Sequence, residues 1–171
     1  MVPARAGLIL LVLLSSFLWW GCSAYRMGAG GEPEIQSIYV APVINESEAP
    51  QAVVPFTLAL KDGFITDGRI DVTERLETAE GILEVRLTDY ERFVAATRPT
   101  DTALGQSFRT VLHGRATLRK QDGSVLFQDR YFKVESSVLV EEDLVQSEYQ
   151  NMPVLTRELA ERIRDAVLDN W

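Results

Sequence analysis

The stretch that decides the fold is QSFRTVLHGRATLRK at 106–120, followed by QDG at 121–123 and SVLFQDRYFKVE at 124–135. Two runs rich in aliphatic, aromatic and β-branched residues flank an Asp-Gly pair, a strong short-range signature of a β-hairpin. Two registers compete. With Asp122-Gly123 as a two-residue turn, Arg115 faces Arg130, a like-charge pair that opposes strand pairing. With Gln121-Asp122-Gly123 as a three-residue loop and Gly123 left-handed, the pairs become Arg115–Asp129, Arg109–Glu135, Leu118–Leu126 and Leu112–Phe132. Charge then meets opposite charge and apolar meets apolar, which favours the second register, although Arg130 falls opposite Gly114 on the apolar face.

Upstream, Ile82 to Phe93 alternates, with Leu83, Val85 and Leu87 on one side and Glu84, Arg86, Thr88 and Tyr90 on the other. That period of two marks a half-buried strand. The Thr-, Pro-, Asp- and Gly-bearing stretch 94–105 reads as a loop. Ile35 to Val43 forms a first strand, stopped at Pro42, and Arg69 to Glu74 a short one. Pro50 to Asp67 is expected to be a helix, with Val54, Leu58 and Ile65 recurring at helical spacing and Phe56, Leu60 and Phe64 beside them. Pro55 fits only its first turn, and Gly68 is a natural stop. Pro153 to Asn170 is a second helix, capped by Asn151, with Leu155, Leu159, Ile163 and Val167 in one stripe. Arg157, Glu158, Glu161, Arg162, Arg164 and Asp165 form its solvated face. The elements sum to an α+β fold: two helices packed on one face of a four- to five-stranded mixed β-sheet, a two-layer sandwich.

A signal peptide precedes this domain. Residues 1–21 read MVPARAGLILLVLLSSFLWWG. Arg5 supplies a positive start, and the apolar run Leu8 to Trp20 is too short for a span of roughly 20 residues but suits a secretory leader. Gly21 sits directly before Cys22, the only cysteine. A leader ending in a small residue and Cys resembles a bacterial lipobox, and that resemblance implies cleavage before Cys22 and lipid on its thiol and new amino group. The residue after Cys22 is Ser23 rather than Asp, which by the same analogy directs the protein to the outer membrane. The organisation is therefore 1–21 leader, 22–34 lipidated Cys and short Gly-rich tether, and 35–171 a single domain.

Composition removes most chemistry. The 171 residues carry 17 Lys and Arg against 25 Asp and Glu, a formal charge of −8, with one His and one Cys. Loss of the leader removes Arg5 alone among charged side chains and takes the charge to near −9. That balance argues against nucleic acid, which needs a basic face. No dinucleotide fingerprint, phosphate loop, serine elbow or metal motif occurs. Glu141-Glu142-Asp143 lacks the spacing of a calcium loop and reads as solvated; His113 reads as a surface residue. The chain is expected to be no enzyme and to hold no metal and no cofactor beyond the covalent lipid on Cys22.

One feature remains. Residues 106–120 carry Arg109, Arg115, Arg119 and Lys120 with no acid, and alternation places the three arginines with His113 on one face. Guanidinium groups suit phosphate or carboxylate, so these four residues are candidate ligand contacts, partly neutralised by Asp129 and Glu135. The face away from the helices is expected to show Tyr90, Val111, His113, Phe127 and Tyr131 among charges, a mixture that suits a protein interface.

Several segments, in order, resemble the LptE family of lipopolysaccharide-assembly lipoproteins. Tyr25-Arg26-Met27-Gly28 after the lipobox resembles that family's Cys-Gly-Tyr-x-Leu-x-Gly opening. The run VAPVINESEAP at 40–50 is similar to its Val-x-Pro-Phe-x-Asn-x-Thr-x-x-Pro strand end, with Val43 in place of Phe. Asp67-Gly68-Arg69, Ala79-Glu80-Gly81-Ile82-Leu83 and Asp122-Gly123-Ser124-Val125-Leu126-Phe127 resemble the family's helix-to-strand corner, strand entry and hairpin. The resemblance implies a plug inside the outer-membrane barrel LptD that helps the barrel assemble and helps deliver lipopolysaccharide to the outer leaflet. It also implies that the basic strand meets lipid A phosphates. Related strand–helix–sheet lipoproteins that activate peptidoglycan synthases or build secretion pores are the alternative. A tether of about 12 residues, reaching at most ~3.3–3.6 Å each, keeps the domain near the membrane and favours the plug.

Overall fold

The computed structural model describes residues 34–98, 101–139 and 144–169. The leader, Cys22, most of the tether and the Glu141-Glu142-Asp143 cluster lie outside them. The elements are β1 (Ser37–Val40), β2 (Ile44–Asn45), α1 (Val53–Asp67), β3 (Asp71–Val72), β4 (Gly81–Arg98), β5 (Asp101–Lys120), β6 (Val125–Leu139) and α2 (Leu144–Leu168). The sheet runs β3-β1-β4-β5-β6, with β2 also on β4. β1 and β2 lie parallel to β4, one after the other on the same edge, and the chain breaks between them around Pro42. β4, β5 and β6 are antiparallel neighbours. The sheet is thus mixed, and both helices cover one face, as expected.

The core sits between that face and the helices. Leu83, Val85, Leu87, Leu112, Ala116 and Leu118 from the sheet meet Leu155, Leu159, Ile163 and Val167 from α2 and Phe56, Leu60 and Phe64 from α1. The expected α2 stripe is fully buried. In α1 the inward stripe is Phe56/Leu60/Phe64, whereas Val54, Leu58 and Ile65 are 67%, 58% and 65% exposed. Both sides of this helix carry apolar residues, so spacing alone does not say which faces the sheet. The larger aromatics fill the core. Gly68 ends the helix at φ 72°, its N–H donating to the Phe64 carbonyl at 3.0 Å.

Three boundaries differ from expectation. Of the stretch 94–105, the described residues 94–98 and 101–105 are strand: they extend β4 and β5, whose pairing shifts register repeatedly between Val94 and Arg98. The described residues there pair irregularly. α2 starts nine residues before Pro153, which lies inside the helix. Asn151 is no cap. Its Oδ1 accepts from Ser136 Oγ at 2.9 Å, and its Nδ2 donates to Thr110 Oγ1 at 3.2 Å, so it pins the early turns of α2 to β5 and β6.

The hairpin loop is the three-residue form. Lys120 N–H donates to the Ser124 carbonyl at 2.8 Å, Gly123 adopts φ 88°, and Asp122 Oδ1 accepts from Ser124 N–H at 2.8 Å. Beyond the loop the expected register is lost. Arg119 faces Val125, but Leu118 faces Phe127, Ala116 faces Arg130, Arg115 faces Tyr131, Leu112 faces Val134 and Arg109 faces Ser137. Two irregularities in β6 add two residues. A shift of two restores side-chain parity, so the faces survive while the partners change.

Candidate functional site: the open face of the sheet

The face of β4–β5–β6 away from the helices carries the basic strand. Arg109, His113, Arg115 and Arg119 alternate along it, as the period of two requires, and none of the four basic candidates stands without an acid. Arg115 Nη1 lies 2.6 Å from Asp129 Oδ2, and Arg109 Nη1 lies 4.0 Å from Glu135 Oε2. Arg119 pairs with Glu84 across to β4, and Lys120 pairs with Glu34 where the tether enters the domain. The acids foreseen for Arg109 and Arg115 are thus the ones found, reached diagonally rather than directly across. Arg109 and Arg115 also lie over the Phe93 and Tyr131 rings, at 5.7 and 5.6 Å from the centroids.

Arg86 completes a cluster that spacing alone does not disclose. It sits directly opposite Arg115 in the β4–β5 ladder, and its Nη2 lies 2.8 Å from Asp129 Oδ1. One carboxylate therefore bridges two guanidiniums on adjacent strands. Asp129 reaches them because it is the irregular residue of β6. Its φ is 51°, the only positive value among described residues other than glycine, and its N–H donates to Thr117 Oγ1 at 3.0 Å.

Further along, His113 Nδ1 is 2.5 Å from the Tyr131 hydroxyl. Its buried Nε2 lies 3.4 Å from Glu91 Oε2 without hydrogen-bond alignment. Lys133 Nζ and Glu135 Oε1 are 2.6 Å apart. Their hydrogen bond raises the Lys133 pKa and, with the same ammonium charge, lowers that of Glu135. Val111 is buried on this face between Glu91 and Glu135.

Two residues expected here are elsewhere. An extra residue in β4 between Leu87 and Asp89 brings Tyr90 opposite Leu112, against the helix-side core. Burial first, and the Glu148 carboxylate second, push its hydroxyl up to about 12. Phe127 turns to the core side for the same reason, lying between the two irregularities of β6. No group of His, Cys, Asp and Glu among the described residues is arranged to hold a metal. The face offers paired arginines, tyrosine and histidine: groups that bind anions and protein surfaces.

The sequence matches the LptE lipopolysaccharide-assembly model over residues 35–167. The chain belongs to the LptE family. It is accordingly an envelope lipoprotein of the lipopolysaccharide-assembly class, in a family without enzymatic activity. No curated protein matches its sequence. Among solved structures, the fold is similar to an uncharacterized lipoprotein B of Nitrosomonas europaea, with TM-score 0.54 and 11% identity over 86% of this chain and 89% of that one. A minor lipoprotein of Acinetobacter baumannii gives 0.53 and 12% identity over 79% and 94%. A Xanthomonas campestris protein gives 0.60 and 11% identity over 82% and 88%. At such identities these likenesses concern the fold alone; the family rests on the sequence match.

Proposed function

We propose that this LptE-family chain is an outer-membrane lipoprotein, anchored through lipid on Cys22, that plugs the LptD barrel, assists its assembly and takes part in delivering lipopolysaccharide to the outer leaflet. The observation that carries this reading is the family match over residues 35–167. The open face is in keeping with it: barrel interiors are polar, and this face presents charged and aromatic side chains. Arg109, Arg115, Arg119 and Lys120 are proposed to meet the phosphates of lipopolysaccharide, exchanging their acidic partners for the ligand. Glu34, the first described residue, pairs with Lys120 beside the hairpin loop, and a tether of about 12 residues at ~3.3–3.6 Å each would hold the domain within about 40 Å of a lipidated Cys22.

Depletion in a bacterium that carries the protein tests the reading. Lipopolysaccharide at the cell surface and the folded, heat-modifiable form of the barrel both fall if the protein serves barrel assembly. Unchanged surface lipopolysaccharide and unchanged barrel folding would refute it.

A further inference from the structure

We infer that Arg86 and Arg115 form a binding site for a phosphoester anion, and that Asp129 is a built-in competitor occupying it in the free protein. The ligand class rests on the function proposed above; the site itself rests on geometry.

Two arginines directly opposite on neighbouring antiparallel strands repel one another, an arrangement that costs stability unless an anion lies between them. Here the anion is the Asp129 carboxylate, one oxygen on each guanidinium, at 2.8 and 2.6 Å. It is delivered by a backbone in the left-handed region, φ 51°. Outside glycine that region is visited mainly by Asn and Asp, and the surroundings hold Asp129 in it. The clamp is visible: Thr117 Oγ1 accepts the Asp129 N–H at 3.0 Å, and Arg115 Nη1 also donates to the Asp129 carbonyl at 3.2 Å. Glu46 stands further off, 3.9 Å from Arg86.

The cluster lies at a cleft of about 310 Å³ with Pro42 and Ile44 on its wall. All three charged side chains remain 40–45% exposed. A ligand therefore has access without unfolding anything. Two guanidinium forks at one point match the oxygens of a phosphate monoester or pyrophosphate, and the apolar wall suits a ligand whose body is less polar than its phosphate. Carboxylate-for-phosphate exchange keeps both arginines paired in either state. Occupancy would free Asp129 and relieve its clamp.

The consequence runs against the usual effect of deleting a contact. Removing the Asp129 charge should strengthen anion binding, because the competitor is gone. Asp129→Asn and Asp129→Gly both suit the left-handed backbone, so either preserves the bulge. The probes are inorganic pyrophosphate and lipid A in mixed detergent micelles, with phosphatidylcholine micelles as control, each added to the detergent-solubilised full chain. Both variants should bind pyrophosphate or lipid A about tenfold more tightly than wild type. Their melting temperatures, lowered in chloride buffer, should be restored by the same anion. Adding Arg86→Gln or Arg115→Gln should abolish both gains. Pyrophosphate alone sufficing would assign the site to any soluble phosphate; a gain with lipid A only would assign it to a headgroup held at a lipid surface. No gain for either variant with either probe would overturn the inference and leave the Arg86–Asp129–Arg115 bridge a structural ion pair. That failure leaves the depletion phenotype untouched. Conversely, a gain in binding with no depletion phenotype would keep the site and sink the function.

Discussion

Tyr90 shows what one extra residue in a strand does. The alternation of Leu83, Val85 and Leu87 assigns it to the open face, but the irregularity before Asp89 turns it inward against the core. Its hydroxyl is pushed up to about 12, so the folded state holds that proton more tightly than the unfolded chain does. The stabilisation is fully present below the unfolded value near 10 and is lost as pH rises from there toward about 12. Tyr90→Phe should therefore lose less stability than wild type on going from pH ~9 to ~11, measured by denaturant unfolding. An equal alkaline loss in the variant would mean that Tyr90 does not carry it. The basic candidates differ in how far they could be foreseen. Arg109, Arg115 and Arg119 share a face by simple alternation, and that much is legible in the residues. The acidic partners of Arg109 and Arg115 are legible as well, from the expected hairpin register; the second guanidinium on Asp129 is not, because Arg86 meets that carboxylate only through a strand irregularity that no spacing announces.

Among the elements, α2 was legible and α1 only half so. α2 has one apolar stripe, and its polar face leaves no choice of orientation. α1 is apolar on opposite sides, so its position and end could be read while its buried face could not. The structure makes the distinction measurable. Leu60→Ala should cost 2–5 kcal/mol, as large-to-small changes in a filled core do. Leu58→Ser, on the exposed stripe, should stay within about 0.5 kcal/mol. Chemical denaturation of the two variants checks both numbers. Asn151 and Pro153 misled for a related reason: Asn before Pro is a good helix start on local grounds, and only the contacts of Asn151 with Ser136 and Thr110 reveal a tie to the sheet. Asn151→Ala should destabilise by about 1–3 kcal/mol, since it leaves the buried Thr110 hydroxyl short of a donor. An effect below about 0.3 kcal/mol would show that the tie contributes nothing. The strand character of 94–98 and 101–105 was illegible because the Thr, Pro, Asp and Gly content of 94–105 is what loops use, whereas the described residues pair irregularly as strand.

At the scale of the whole molecule, the order of strands and helices could be read from the chain. What covers the open face in the cell could not, since a half-exposed charged surface serves solvent, partner or ligand equally well. If lipid on Cys22 is the anchor, Cys22→Ala should move the protein from the membrane to the soluble fraction on cell fractionation. Retention in the membrane would show that another segment holds it. The central claim, partnership with an outer-membrane barrel, is tested most directly by tagging the chain at Trp171, extracting outer membranes in mild detergent and identifying what co-purifies. A large β-barrel protein recovered in near-equal amount, and lost when lipopolysaccharide-transport components are depleted, is the predicted result. Recovery with a peptidoglycan synthase, or as a self-assembled ring with no barrel, would contradict it.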